Sequence, residues 1–256
     1  MAVAFLVLAL SACRLLAPNF FAPLFPGVIA VFGLAFFCLA FLASKRLEKG
    51  GAGRFWARVS VGAFFLFVAS AVRLAGFLLT LAMPFPSIVD GVFFLGQIAL
   101  VSAVFSGLDA AGSAKLSKAG LGVLVFAGAY VFLLLWFSLL SPLVGWPLPV
   151  FEKVFRAALP MASFTLLFSA GFALLKTGSS REPGIRRVLF FFSTGACALS
   201  LASLLSIYES LFLLRVGAVG DVLFLAGYGL VVVSALSGSV LSAAPQARRR
   251  RAKKKR

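Results

Sequence analysis

Histidine is absent from all 256 residues. Its loss removes the commonest general base, the usual metal ligand and the usual haem ligand, so haem, zinc-protease and rhomboid-type readings have no side chain to rest on. Cysteine is nearly absent as well. Cys13, Cys38 and Cys197 each stand alone inside an apolar run, without CxxC spacing, and read as small core residues. Acidic residues number only seven. Polar stretches are short throughout and leave no room for a soluble domain. No cofactor, no metal and no catalytic constellation is expected.

What remains is apolar. Hydrophobic residues make up 62% of the chain and the mean hydropathy is +1.10, against roughly 45–50% apolar usage in soluble domains. An all-α, polytopic integral membrane protein is expected. A membrane-crossing helix needs about 20 mostly apolar residues. Eight segments are read as spans: 2–17, 22–43, 57–82, 88–108, 119–140, 150–175, 187–209 and 218–242. A signal peptide is the competing reading of the first; it lacks a basic n-region and a small-x-small cleavage site before Arg14.

The connecting loops alternate in character. "SKRLEKGGAGRFWAR", "DAAGSAKLSK" and "KTGSSREPGIRR" are basic, whereas "PNFFAP", "PFPS" and "SPLVGWPLP" carry no charge. With the C-terminal "RRRRAKKKR", 19 of the 24 Lys and Arg fall on one face. The positive-inside rule assigns that face, and with it both termini, to the cytoplasmic side of a cell membrane. The tail gathers Arg248, Arg249, Arg250, Arg251, Lys253, Lys254, Lys255 and Arg256. Anionic lipid headgroups are its expected partner, at about 1 kcal/mol per cation near the surface. Nucleic acid would attract it equally, but no interleaved aromatics or binding module mark a nucleic-acid site.

One phrase occurs twice. "DGVFFLGQIALVSAVFSG" begins at Asp90 and "DVLFLAGYGLVVVSALSG" begins at Asp221, with matches at Asp90/Asp221, Phe93/Phe224, Gly96/Gly227, Val101/Val232, Ser106/Ser237 and Gly107/Gly238. Earlier in the chain "LLAPNFFAPLFP" aligns with "LLSPLVGWPLPV", pairing Pro18 with Pro142 and Pro23 with Pro147. The order is preserved, so two tandem four-helix repeats are expected, 1–112 and 113–243, followed by a basic tail, 244–256. A four-span unit returns the chain to its starting face, which gives the halves the same orientation about a pseudo-twofold axis along the membrane normal. Met1 then aligns with Val125, inside the fifth span, so the first span is expected to be shortened or preceded by a start further upstream.

Ionisable groups in lipid are costly and mark candidate sites. Away from the basic face they gather in one layer: Arg73, Asp90, Glu152, Arg156, Glu209 and Asp221, with Arg14, Lys153 and Arg215. They are candidates for a polar pathway or vestibule. Helix capping and contact with water is the competing reading, since acidic groups favour helix N-termini. Arg73 either snorkels or finds an internal partner. Glu152 and Arg156 stand at i and i+4, a spacing that allows pairing. Asp90 and Asp221 are the sharpest pair, with Gln97 and Tyr228 one heptad deeper. An aspartyl-protease reading fails because "GAVGD" lacks the Gly-x-Gly-Asp signature.

Two functions of different class follow. One is a small transporter or channel-like permease. The other is a non-catalytic membrane subunit of a larger assembly, for example a translocation, secretion or transfer apparatus, with partner membrane subunits. A membrane sensor ranks third, for want of a soluble output domain.

Overall fold

The computed structural model describes residues 2–16, 23–47, 51–80, 87–110, 118–177, 183–212 and 217–254; of 4, 110, 118, 183, 210–212, 217 and 239–254 it describes the backbone alone. All regular structure among them is helical: α1 (Ala2–Leu16), α2 (Phe25–Arg46), α3 (Gly51–Leu78), α4 (Ile88–Ala110), α5 (Lys118–Leu135), α6 (Ser141–Gly145), α7 (Val150–Thr177), α8 (Pro183–Phe212) and α9 (Gly217–Lys254). A π-turn, Trp136–Leu140, joins α5 to α6. Pro142 lies in the first turn of α6 and has no N–H to return to the preceding turn; the wider π-turn accommodates it and keeps one continuous rod. The fifth expected span therefore runs to Gly145 rather than ending at 140. Trp146 is extended, as the residue before Pro147 should be.

Among the described residues, seven rods are long and apolar enough to cross a membrane, the architecture of a multi-pass helical membrane protein. The first expected span, 2–17, is represented by α1, whose 15 residues reach about 22 Å at 1.5 Å per residue, short of the roughly 30 Å of hydrocarbon. Several helices overrun the spans read from hydropathy: α3 begins at Gly51, α8 at Pro183, and α9 continues to Lys254. α9 carries on through Pro245, which has no N–H to give to the preceding turn, so one rung of its backbone ladder is missing there. Lys255 and Arg256 lie outside the described residues, as do the side chains of the rest of the basic tail.

Six helices form a closed ring. α2, α3 and α4 pack in sequence, as do α7, α8 and α9; α4 meets α7, and α9 returns to α2. Outside the ring, α1 leans on α9 and α5 on α7. Large side chains such as Val31, Phe64, Phe126 and Phe190 are exposed and face outward, whereas Ser163, Ser193, Ser200, Ser203 and Ser234 are buried. Lipid is as apolar as leucine, so association rests on close packing of small residues and on hydrogen bonds between helices.

Two helix pairs pack through facing glycines. A Cβ on Gly62 of α3 would come within 3.2 Å of the Gly96 carbonyl oxygen on α4, and a Cβ on Gly195 of α8 within 2.8 Å of the Gly227 carbonyl oxygen on α9. The same interlocking leucine recurs: Leu66 lies against Gly96 and Leu199 against Gly227. Across the ring, Phe93 of α4 and Phe224 of α9 meet edge to face at 6.1 Å. Towards the other end, Phe55 of α3 and Phe192 of α8 meet edge to face at 5.1 Å. Trp56 fills the space against Gly238, and Leu189 and Phe55 fill the space against Gly107.

Candidate functional site

α3 runs between the two ends of the ring: Arg73 stands 17 residues beyond Trp56, about 25 Å along the helix. Around Arg73 the ring is hollow. A cavity of ≈ 220 Å³ is lined by Phe25, Ile29, Ser70, Asp221 and Tyr228. A second, of ≈ 210 Å³, is lined by Ser87, Asp90, Leu159, Ser203 and Ile207. Arg73, Val89, Phe93, Ser206 and Phe224 border both, so the Phe93–Phe224 pair forms part of the partition between them.

The two repeated aspartates have different surroundings. Asp90 is the third residue of α4, and Ser87 precedes that helix. The Ser87 backbone N–H and hydroxyl both donate to Asp90 Oδ2 at 2.8 Å, while the Asp90 N–H reaches back to Ser87 Oγ at 3.4 Å. This is the reciprocal arrangement of a capping box. Arg73 approaches Asp90 Oδ1 at 3.6 Å, an ion pair beyond hydrogen-bond length. Asp221 instead sits in the second turn of α9 and takes two bonds from another helix: Arg14 Nε and Nη2 both lie 2.8 Å from its Oδ2. The Arg14 guanidinium also stands 5.8 Å above the Phe25 ring. An arginine in the short α1 thus ties that helix to the rim of the cavity.

Seven residues deeper, about two helical turns, Gln97 and Tyr228 also have different surroundings. Gln97 is buried and lines neither cavity. Its amide N–H groups donate to Ser163 Oγ at 2.8 Å and Ser203 Oγ at 3.1 Å, and Ser163 donates back to Gln97 Oε1 at 3.1 Å. That knot joins α4, α7 and α8. Tyr228 is equally buried but borders the first cavity, and its hydroxyl has no hydrogen-bond partner among the described residues. Glu152 and Arg156 pair at 2.6 Å on the first turns of α7, away from both cavities. Glu209 is half-buried near the end of α8 and lines neither. Arg215 lies outside the described residues.

At the far end of the ring the centre is filled. Phe55, Trp56, Leu189 and Phe192 are all buried there. Arg58, counted by sequence among the basic-face cations, turns onto α4 and donates to the Ser102 carbonyl at 3.2 Å and to the Ser106 hydroxyl.

Sequence reasoning did not single out Ser70, Ser203, Ser206 or the aromatic plug. A signal existed for two of them: Ser70 and Ser203 follow Gly62 and Gly195 by the same eight residues. It is legible only once Gly62 is seen against Gly96 and Gly195 against Gly227.

These features define a class, a multi-pass helical membrane bundle with an ion-paired double cavity at one end and an aromatic plug at the other. No family model, no curated protein and no solved structure matches the chain.

Proposed function

We propose that the protein is a small transporter or channel-like permease of the cell membrane, with a solute path that begins in the double cavity. The observation that carries this reading is the opposition, along one ring axis, of a charged cavity and a packed plug of Phe55, Trp56 and Phe192. A path open at one end and shut at the other is what alternating access requires. In proteoliposomes, Phe192→Ala is expected to raise solute leak several-fold over wild type, with helicity by circular dichroism unchanged. A folded variant that leaks no more than wild type would show that the plug gates nothing.

The ring is further proposed to descend from a duplicated four-helix unit. Facing glycines at Gly62/Gly96 and Gly195/Gly227, the leucines against them, and the meeting of Phe93 with Phe224 support this. A half-turn about the ring axis exchanges α2 with α7, α3 with α8 and α4 with α9. α1 and α5 depart from it, since one leans on α9 and the other on α7.

The plugged end is proposed to be cytoplasmic, because Lys45, Arg46, Arg54, Lys176, Arg186 and Arg187 stand at the helix ends there. In a cysteine-free background, single cysteines near Gly51, Ser113 and Ser179 should react only with reagents that reach the cytoplasm; labelling of any of them from outside intact cells reverses the orientation. The basic tail is proposed to rest on anionic headgroups. A chain ending at Ala244 should keep the same labelling pattern, and an inverted pattern would make the tail the topology determinant instead.

The second reading, a membrane subunit of a larger assembly, draws on α5. Only 11% of its apolar window is buried, against 28–56% for the other spans. A stoichiometric partner copurifying from native membranes, and crosslinked through Phe126 or Tyr130, would favour that reading.

A further inference from the structure

The two cavities share five bordering residues, but the polar groups beside them are satisfied to different degrees. Beside the second cavity, Gln97, Ser163 and Ser203 bind one another. Beside the first, Tyr228 is 1% exposed and its hydroxyl has no hydrogen-bond partner among the described residues. Ser70, next to it in the lining, donates back to the Leu66 carbonyl at 2.8 Å and keeps an acceptor lone pair near the phenol, outside hydrogen-bond limits. A buried hydroxyl without a partner costs about 1–3 kcal/mol, so a fold that keeps one in a cavity wall has reason to meet a ligand there.

The charges have the same bias. Asp221 is held at 2.8 Å by Arg14, and Asp90 accepts from Ser87 at 2.8 Å. Both carboxylates are therefore engaged at hydrogen-bond distance. Arg73 is not: its ion pair with Asp90 is 3.6 Å long and its side chain is 56% exposed. A guanidinium offers five N–H donors and no acceptor, and the phenol adds an O–H. Arg73 and Tyr228 thus set donors among the apolar surfaces of Phe25, Ile29, Phe93 and Phe224, beside two carboxylates whose Oδ2 atoms already accept.

We infer that the cavity bounded by Arg73 and Tyr228 binds a small monocarboxylate with an apolar body. The carboxylate accepts from the Arg73 guanidinium and the Tyr228 hydroxyl, and the body lies against Phe93 and Phe224. At ≈ 220 Å³ the cavity is smaller than the roughly 300–1,000 Å³ of drug-sized sites, which limits the ligand to a compact molecule. This inference rests on the reading of the double cavity as the start of a solute path, and deepens it by naming the solute's chemistry.

The test uses the purified full chain in nanodiscs and four probes sharing one ring: phenylacetate, phenylalanine, phenethylamine and phenylacetamide. Calorimetry is expected to show phenylacetate binding at least tenfold more tightly than the other three. Arg73→Gln should weaken it by about tenfold or more, the range for hydrogen bonds to a charged group. Tyr228→Phe should weaken it several-fold while the melting temperature without ligand stays equal or rises, because the buried orphan hydroxyl is gone. Arg73→Lys keeps the charge and should recover part of the loss. Preference for the amine or the zwitterion, no binding by any probe, or phenylacetate binding that survives both Arg73→Gln and Tyr228→Phe overturns the inference. Proteoliposome flux separates it from the permease reading. Phenylacetate that binds with this mutational pattern but never crosses leaves the site standing and removes the permease. Flux of another solute, blocked by bulky substitution at Ser206, without phenylacetate binding removes the monocarboxylate alone.

Discussion

Asp221→Asn is expected to lower stability by about 2 kcal/mol, whereas Asp90→Asn should cost less than about 1 kcal/mol. The substitutions are chemically identical and the positions correspond in the repeated phrase, so any difference comes from what each carboxylate touches. Asn at position 221 takes from the Arg14 guanidinium, whose side chain is only 12% exposed, the carboxylate it holds at 2.8 Å. Removing one partner of a buried pair costs about 3–5 kcal/mol; the lower figure here allows for the 29% exposure of Asp221 and the acceptor oxygen that Asn retains. Asn at position 90 still accepts from Ser87, because Asn caps a helix about as well as Asp. A double variant, Arg14→Gln with Asp221→Asn, should recover much of the loss, since no unpaired charge remains. Equal losses at 90 and 221 in thermal or denaturant unfolding in detergent would mean that the Arg14 bridge carries no weight.

Gly195→Ala is expected to cost about 3 kcal/mol, the upper part of the range for forcing atoms into a packed core. Its new Cβ would stand 2.8 Å from the Gly227 carbonyl oxygen and 3.0 Å from the Val231 backbone nitrogen. Neither can move without separating α8 from α9. Gly62→Ala should cost less, because there the nearest atoms belong to the Leu100 side chain and the Gly96 oxygen is 3.2 Å away. Gly122→Ala meets nothing within 4 Å and should stabilise by about 0.5–1 kcal/mol, the ordinary helix preference of Ala over Gly. Melting temperatures ranked Gly122→Ala, wild type, Gly62→Ala, Gly195→Ala from highest to lowest would bear this out. Any other order means that the facing glycines do not set the helix separation.

The corresponding pairs show where the sequence stopped being informative. Asp90/Asp221 and Gln97/Tyr228 could be picked out because ionisable and polar groups are rare in such a chain. Their partners could not. Arg14 lies 207 positions from Asp221, and Ser163 and Ser203 lie 66 and 106 positions from Gln97. Serine and glycine in an apolar run read only as small residues until a facing helix gives them a role. Hydropathy does not reveal helix faces here either, since lipid-facing and core-facing positions are both apolar; Phe36 is buried and Phe64 exposed.

The sequence by itself determined that this is a helical membrane protein, roughly where its helices lie, and which of its few charges stand away from the basic ends. Transfer of apolar side chains out of water is additive along the chain and needs no knowledge of neighbours. Only the tertiary structure decided that six helices close into a ring, that one repeated aspartate caps its own helix while the other ties down α1, and that Gln97 is sealed while Tyr228 is left facing a cavity. Those outcomes depend on which helix faces meet, and in a solvent as apolar as the side chains that is set by glycine-to-glycine packing and by individual hydrogen bonds, both of which exist only between segments distant in the chain.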